Sequence, residues 1–151
     1  MTLYLDASIV VALIASQDVS TPVHSLLDES QDDFILSDFA MAECSAALAR
    51  LGRVDRWSSD LHQSVFAELD GWVDTMAEAV LVLPEDIGLA TDFVRQPTVA
   101  LRAPDAIHIA AAHRLGATLV TLDRGMARAA AALGVLNLNP AEADAPGEPK
   151  D

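Results

Sequence analysis

The sequence predicts an α/β fold: a single domain with a mostly parallel central sheet of four to five strands flanked by helices. Short apolar segments alternate with longer segments of helical spacing, which is typical of β–α units on a parallel sheet. The predicted strands, such as VLVL and TLVTL, are almost entirely apolar, as expected where helices cover both faces of a sheet. The 151 residues, 52% of them hydrophobic, are enough for one buried core.

The first half of the chain predicts two strands and three helices. Thr21 and Pro22 are suitable for the N-cap and first position of the second helix. Gly52 stands where a glycine commonly follows a helix. The strands are predicted at residues 3–5 and 34–36, and the helices at 8–15, 22–29 and 37 or 38 to about 51.

The second half continues the alternation. Helical spacing extends over residues 54–79, with a possible break at Gly71. Strands are predicted at 80–83, 118–122 and 135–138, and helices at 84–95, 104–115 and 124–133. These elements place one domain at residues 1–139. Residues 140–151 are rich in proline and acidic residues, which predicts a disordered tail.

The net charge of −14 excludes nucleic-acid binding by general electrostatic attraction, because 23 acidic residues oppose 9 basic ones. Cys44 is the single cysteine, which favours a reducing compartment. No lysine or arginine precedes Arg50, so the apolar N-terminus does not resemble a signal peptide. No segment predicts a membrane span. We expect a cytoplasmic protein without membrane association.

Four carboxylates stand out by their positions. Asp6 and Asp123 each follow a predicted strand directly, and ligands of α/β sheets bind beyond the carboxyl ends of the strands. Glu43 and Asp105 are the acidic residues of two otherwise apolar helices. Each carboxylate alone has a structural explanation: the aspartates could cap or face a helix N-terminus, and Glu43 could pair with a nearby arginine. Together they would repel one another unless a cation neutralised them, and oxygen-only ligands favour Mg²⁺ or Mn²⁺.

Other polar residues are weaker candidates. Ser8 and Thr121 lie two residues from Asp6 and Asp123 and could hold a carboxylate in place, although a helix cap and an ordinary strand threonine are the simpler interpretations. His108 lies one turn after Asp105, and we expect a packed or solvent-facing side chain. Two arginines on one helix face, which follow the last acid of the set, are candidate phosphate contacts: Arg124 and Arg128.

The segments YLDASIVVAL, SDFAMAECSAAL and APDAIHIAAAHRLGATLVTLDRGMARAA resemble, in order and spacing, the acidic motifs of the PIN-domain ribonucleases. The resemblance covers residues 2–138 and is greatest to VapC-type toxins of bacterial toxin–antitoxin pairs. It implies an endoribonuclease that hydrolyses RNA with Mg²⁺ or Mn²⁺. The acidic cluster it implies is Asp6, Glu43, Asp105 and Asp123. It also implies a homodimer and a cognate antitoxin that blocks the site.

Two other α/β classes fit less well. A haloacid-dehalogenase-like phosphatase requires an aspartate where Ser8 stands, and a receiver domain requires a lysine on a late strand, whereas the sole lysine is Lys150. The alternative that stays open is a non-catalytic, metal-binding module for protein interaction on the same scaffold.

Overall fold

The computed structural model describes residues 1–15 and 20–143, and it contains one parallel β-sheet between two layers of helices. The strands are β1 (Thr2–Leu5), β2 (Asp33–Ser37), β3 (Ala77–Val80), β4 (Thr118–Val120) and β5 (Asn137–Leu138). The helices are α1 (Ala7–Ala15), α2 (Ser20–Glu29), α3 (Asp38–Val54), α4 (Ser59–Met76), α5 (Pro84–Val94), α6 (Ala103–Arg114), α7 (Arg124–Ala132) and α8 (Pro140–Ala143). The predicted fold class is confirmed.

The five strands are ordered β3-β2-β1-β4-β5, and every neighbouring pair is parallel. The strand β1 is therefore central, with Tyr4 opposite Ile35 of β2 and Leu119 of β4. The chain builds outward from β1 in one direction through β2 and β3. It then crosses to the other side of β1 to add β4 and β5.

Alternate residues of the central strands enter two separate cores. Leu3 and Leu5 point toward the layer of α1–α4, while Tyr4 points toward the layer of α5–α7. All three side chains are buried, because helices cover both faces of the sheet. This two-sided burial explains why the sequence shows apolar strands without a polar alternation.

Several predicted boundaries are wrong, each for a local reason. The second helix begins at Ser20, so Thr21 and Pro22 lie inside its first turn. The third strand is Ala77–Val80 rather than 80–83: it is a half-exposed edge strand, which does not need an apolar sequence. Pro84 occupies the first position of α5, where its missing N–H has no partner to lose.

Two glycines are helical rather than terminal. The helix α4 runs through Gly71 without a break, and a Cβ there would meet open space. Gly52 lies within α3 rather than after it, since the helix continues to Val54. The indole of Trp57 packs against the Gly52 backbone. A Cβ at Gly52 would be 2.9 Å from that ring, so glycine is required by close approach.

At the C-terminus, α8 covers the first residues of the predicted tail and packs beside α2. The predicted tail thus starts with a helical turn, and its residues 144–151 lie outside the described part of the chain. Among the described residues, no single helix has the length and apolar composition to cross a membrane. The helices α1 and α2 pass that test only as a pair bent by 106°.

Candidate functional site

The site lies where the direction of chain winding reverses, between β1 and β4. At such a switch point the loops after two neighbouring parallel strands leave in opposite directions and open a crevice at the carboxyl edge of the sheet. Asp6 follows β1 and Asp123 follows β4 at this edge. The backbone N–H of Asp6 donates to the carbonyl of Val120 at 3.1 Å, which fixes the first residue beyond β1 against β4.

The Asp6 carboxylate is 3% exposed and accepts hydrogen bonds at both oxygens. Ser8 Oγ donates to Oδ1 at 2.5 Å, and Thr121 Oγ1 donates to Oδ2 at 2.6 Å. The backbone N–H of Ile9 adds a longer bond of 3.4 Å to Oδ1. Within the described residues no arginine, lysine or histidine forms an ion pair with this carboxylate. Burial accordingly raises the pKa of Asp6, although the two hydroxyls and His108 partly oppose the shift.

Asp123 is connected to Asp6 through Thr121. The Thr121 hydroxyl donates to Asp6 and accepts the backbone N–H of Asp123 at 3.0 Å. Asp123 also caps α7, with Oδ1 accepting from the backbone N–H of Met126 at 2.9 Å. A Cβ at Gly125 would lie 3.2 Å from the same Oδ1, so glycine leaves room for this carboxylate. Thus Asp123 is a helix cap and also lies at the site.

Glu43 lies in α3 and is paired with His108 of α6. Its Oε1 is in close contact with His108 Nε2, and its side chain is 34% exposed while the histidine is 2% exposed. The two predicted alternatives for Glu43, Arg50 and Arg53, are not its partners. Burial, together with the negative charges of Asp6 and Glu43, raises the pKa of the Cys44 thiol to about 12. Both carboxylates therefore lie in the neighbourhood of that thiol.

Asp105 is less closely joined to the others. It lies in the first turn of α6, and Arg102 Nε is 3.3 Å from its Oδ2. His108, three residues later, shares its helix face. Among the described residues, no hydrogen bond or ion pair links Asp105 to Asp6, Glu43 or Asp123.

The two candidate phosphate contacts differ in their surroundings. Arg124 is exposed and pairs with Glu142 of α8 at 3.1 Å. Arg128 is exposed on α7 and lines a surface groove of about 380 Å³ that also includes Gly125. The groove extends from Gly125, two residues after Asp123, toward Thr98 and Val99.

The donor chemistry of the site fits a hard divalent cation in part. Asp6 supplies buried negative charge without a cationic partner in the described chain. The Thr121 hydroxyl links it to the backbone N–H of Asp123, and the possible ligand atoms of both aspartates are oxygens. Glu43 and Asp105 are directed to His108 and Arg102 instead. In residues 1–15 and 20–143, no three His, Cys, Asp or Glu side chains converge closely enough to hold a metal ion as they stand.

Comparison with known protein families identifies the scaffold. Residues 3–132 match the model of the PIN domain. The chain belongs to the PIN domain family. The predicted family is therefore confirmed, and PIN domains are generally nucleases. A comparison with curated proteins gives no significant match.

Solved structures share the fold of this PIN domain over nearly its whole length. FitAcB from Neisseria gonorrhoeae is 19% identical with a TM-score of 0.75, and the match covers 91% of this chain and 97% of that one. VapBC2 from Rickettsia felis, bound to a DNA fragment from its promoter, is 17% identical with a TM-score of 0.68 (92% and 98% covered). VapC20 from Mycobacterium tuberculosis, a toxin that cleaves the sarcin–ricin loop, gives the same identity and TM-score (89% and 96% covered).

Sequence reasoning missed two participants in the site. His108 is packed, as expected, but its contact with Glu43 was not anticipated. Tyr4 was not considered, although its hydroxyl lies 2.8 Å from His108 Nδ1. The available signal was a single phenol in an aliphatic strand, two residues before Asp6. A buried hydroxyl there requires a polar partner from another element.

Proposed function

We propose that this PIN domain is a Mg²⁺- or Mn²⁺-dependent endoribonuclease that hydrolyses RNA phosphodiester bonds. One observation carries the proposal: Asp6 is a buried carboxylate that forms no ion pair with a described side chain, and Thr121 links it to the backbone N–H of Asp123 at the switch point of the sheet. A fold that buries such a charge destabilises itself unless a proton or a bound cation compensates it. Family membership supports a nuclease as the reason for that arrangement.

The four acids have separate roles in this proposal. Asp6 and Asp123 hold the cation, and Glu43 and Asp105 complete its ligands from the opposite side of the crevice. Ser8 and Thr121 keep the Asp6 carboxylate in one rotamer by donating to its two oxygens. When bound, the divalent cation supplies Lewis-acid stabilisation of the phosphate oxygens and activates water for attack.

The acidic surface determines how RNA must be held. With a net charge of −14, the protein repels a polyanion outside the site. A bound cation would reverse the local field, and Arg128 offers a guanidinium on the groove that includes Gly125. Arg124 becomes a second phosphate contact when it exchanges Glu142 for RNA. The Arg124–Glu142 pair is exposed and weak, so this exchange costs little free energy.

We further propose that the chain is the toxin of a toxin–antitoxin pair, which acts as a homodimer in the cytoplasm. Support comes from structural neighbours that include toxin–antitoxin assemblies. In this proposal a cognate antitoxin covers the site until it is removed. Co-expression with the product of an adjacent open reading frame, followed by light scattering, tests both the partner and the dimer.

The test of the nuclease uses purified protein and total RNA with EDTA, Mg²⁺ or Mn²⁺. Asp6→Asn retains the size of the side chain and removes the charge. Asp70→Asn, on the exposed face of α4, is the matched control. We expect discrete, metal-dependent fragments with the wild type and the control, and at least a 100-fold lower rate with Asp6→Asn.

The other outcomes separate the alternatives. Intact RNA under every metal condition, together with calorimetric binding of Mn²⁺, would favour the non-catalytic interaction module. Equal cleavage by Asp6→Asn and wild type would contradict the assignment of the site.

A further inference from the structure

A buried chain of polar groups leads from the core to Glu43. Tyr4 Oη donates to Ser37 Oγ at 2.8 Å and lies 2.8 Å from His108 Nδ1. The other ring nitrogen of His108 contacts Glu43 Oε1. Tyr4, Ser37 and His108 are all nearly inaccessible to solvent. Three polar side chains in a core destabilise the fold unless their hydrogen bonds are complete, and here they are.

The chain of contacts forms a closed circuit between three elements. Ser37 is the N-cap of α3, and its Oγ accepts from the backbone N–H of Ala40 at 3.0 Å. Glu43 lies on the same helix, less than two turns further on. Tyr4 of β1 and His108 of α6 therefore connect the beginning of α3 to the carboxylate in its second turn. The three buried side chains of the circuit, Tyr4, Ser37 and His108, have few rotatable bonds, so the support behind Glu43 is stiff.

The imidazole of His108 is held from its faces as well as its nitrogens. The ring of Phe39 packs against it with centroids 5.2 Å apart, and the Tyr4 ring meets it edge-on at 5.7 Å. These ring contacts hold the imidazole beside Glu43.

The purpose of this rigidity follows from where the circuit ends. Within the described residues, His108 is the polar partner of the Glu43 carboxylate, and it contacts Oε1 alone. No described residue hydrogen-bonds the second oxygen, Oε2, and the side chain is one-third exposed, so this oxygen is available to another ligand. A purely structural core would have used apolar side chains at positions 4 and 108, which pack without a desolvation penalty.

We infer that Tyr4 and His108 are positioning residues that fix one oxygen of Glu43 so that the other faces the bound cation. This inference rests on the proposed function, because it deepens the role given to Glu43. Hydrogen bonds behind a ligating carboxylate typically change metal affinity or activity by about 10- to 100-fold. The ligand itself is still present when such a bond is lost, so excess metal should compensate.

The experiment uses the full chain and Tyr4→Phe, which removes one oxygen atom and keeps the ring. Mn²⁺ binding is measured by calorimetry, and cleavage of total RNA is measured over a range of Mn²⁺ concentrations. We expect about 10-fold weaker Mn²⁺ binding and an equal rise in the Mn²⁺ concentration for half-maximal cleavage. At saturating Mn²⁺ the rate should return to within about 3-fold of wild type, since no reacting group has changed.

Three comparisons make the result specific. Glu43→Gln, which alters the ligand, should lose rate at every Mn²⁺ concentration. Ile109→Val removes a buried methyl group from the same helix without touching the circuit, and it should bind Mn²⁺ like wild type. His108→Gln interrupts the circuit at its next link and should weaken Mn²⁺ binding as Tyr4→Phe does. If Tyr4→Phe fails to fold, His108→Gln takes its place in the test.

The outcomes distinguish this inference from the proposed function. If the wild type binds no Mn²⁺, the proposed metal-dependent function is wrong and the inference falls with it. If the wild type binds Mn²⁺ and cleaves RNA while folded Tyr4→Phe or His108→Gln has unchanged affinity, only the inference is overturned. A loss of affinity in Ile109→Val equal to that of Tyr4→Phe would also overturn it, because general loosening of the core would then explain both.

Discussion

Two aspartates are buried in the part of the chain that the structure describes, and their surroundings differ. Asp86, in the first turn of α5, is 1% exposed and receives Arg114 Nε at 2.7 Å on one oxygen and the terminal nitrogen at 2.9 Å on the other. Asp6, beside β4, is equally hidden but receives two hydroxyls and a distant amide. Asp86 also accepts the backbone N–H of Leu83 at 2.8 Å, which ties it to the start of its own helix.

The difference is that Asp86 forms an ion pair between two helices, whereas Asp6 is oriented by hydroxyl groups and has no ion pair with a described residue. The bidentate guanidinium of Arg114 compensates the burial of Asp86 and joins α6 to α5. Arg114 also donates to the carbonyl of Leu81, just before α5. Hydroxyls orient Asp6 but cannot neutralise it. Burial alone therefore does not distinguish the two carboxylates, whereas the charge of their hydrogen-bond partners does.

The largest expected effect comes from removing the compensation at Asp86. Arg114→Met leaves that carboxylate buried and unpaired, and should lower the free energy of unfolding by about 3 to 5 kcal/mol. Arg124→Met removes an exposed arginine from its pair with Glu142 and should change it by less than about 1 kcal/mol. Urea denaturation followed by circular dichroism measures both. Similar values for the two variants would remove the distinction between the buried pair and a surface pair.

The stabilisation that added metal provides should also differ between variants of Asp6 and Asp86. At 100 times its dissociation constant, Mg²⁺ should raise the free energy of unfolding of the wild type by about 2.7 kcal/mol. Asp86→Asn should gain as much from the metal, although it starts from lower stability. Asp6→Asn should gain almost nothing. Thermal denaturation with and without Mg²⁺ gives the three values, and stabilisation of Asp6→Asn by Mg²⁺ would show that the cation binds elsewhere.

A smaller effect is expected in the pH dependence of metal-free protein. Because burial raises the pKa of Asp6, the folded state binds this proton more tightly than the unfolded chain. The contribution of Asp6 to stability therefore falls as pH rises from the unfolded pKa to the raised folded value. Asp6→Asn lacks this loss, so wild type should match it at low pH and become less stable than it as pH rises.

Denaturation of both proteins in EDTA over pH 3 to 8 provides the measurement. A stability difference that stays constant with pH would mean that the pKa of Asp6 is the same in the folded and unfolded states.

The smallest effects concern two helical glycines. Gly71→Ala, in α4 with open space around it, should stabilise the protein by about 0.5 to 1 kcal/mol through helix propensity. Gly125→Ala should lose most of that gain, because the new Cβ would lie 3.2 Å from Asp123 Oδ1. It should also lower RNA cleavage several-fold, whereas Gly71→Ala should leave cleavage unchanged. Equal stability gains in both variants would show that Asp123 moves aside freely.

How well a feature can be predicted from the sequence depends on how far apart in the chain the residues that determine it lie. Asp6 and Asp123 could be selected because their positions after two strands are local properties, and parallel pairing brings strand ends together. Asp86 could not be distinguished from a surface acid, since its partner Arg114 is 28 residues away in another helix. The proline before it signals a helix start, yet no local pattern reveals the guanidinium.

The error at Gly52 has a local cause. Gly52 has the typical spacing of a glycine after a helix, but α3 continues to Val54, and Trp57 in the turn that follows packs against the Gly52 backbone. Tyr4 and His108 are 104 residues apart, so their contact required the fold to be known. The parallel sheet and the acids at its strand ends were therefore predictable, but the partner of each buried polar group was not.

The central position of β1 has a consequence for biosynthesis. The hydroxyl that orients Asp6 belongs to Thr121, which is translated 115 residues later. The strand β4 can pair with β1 only after the residues between them have been translated, and such non-local pairing forms late in folding. A nascent chain that has not yet reached β4 therefore carries an incomplete crevice. If the domain cleaves RNA, the strand order itself protects the message that is being translated.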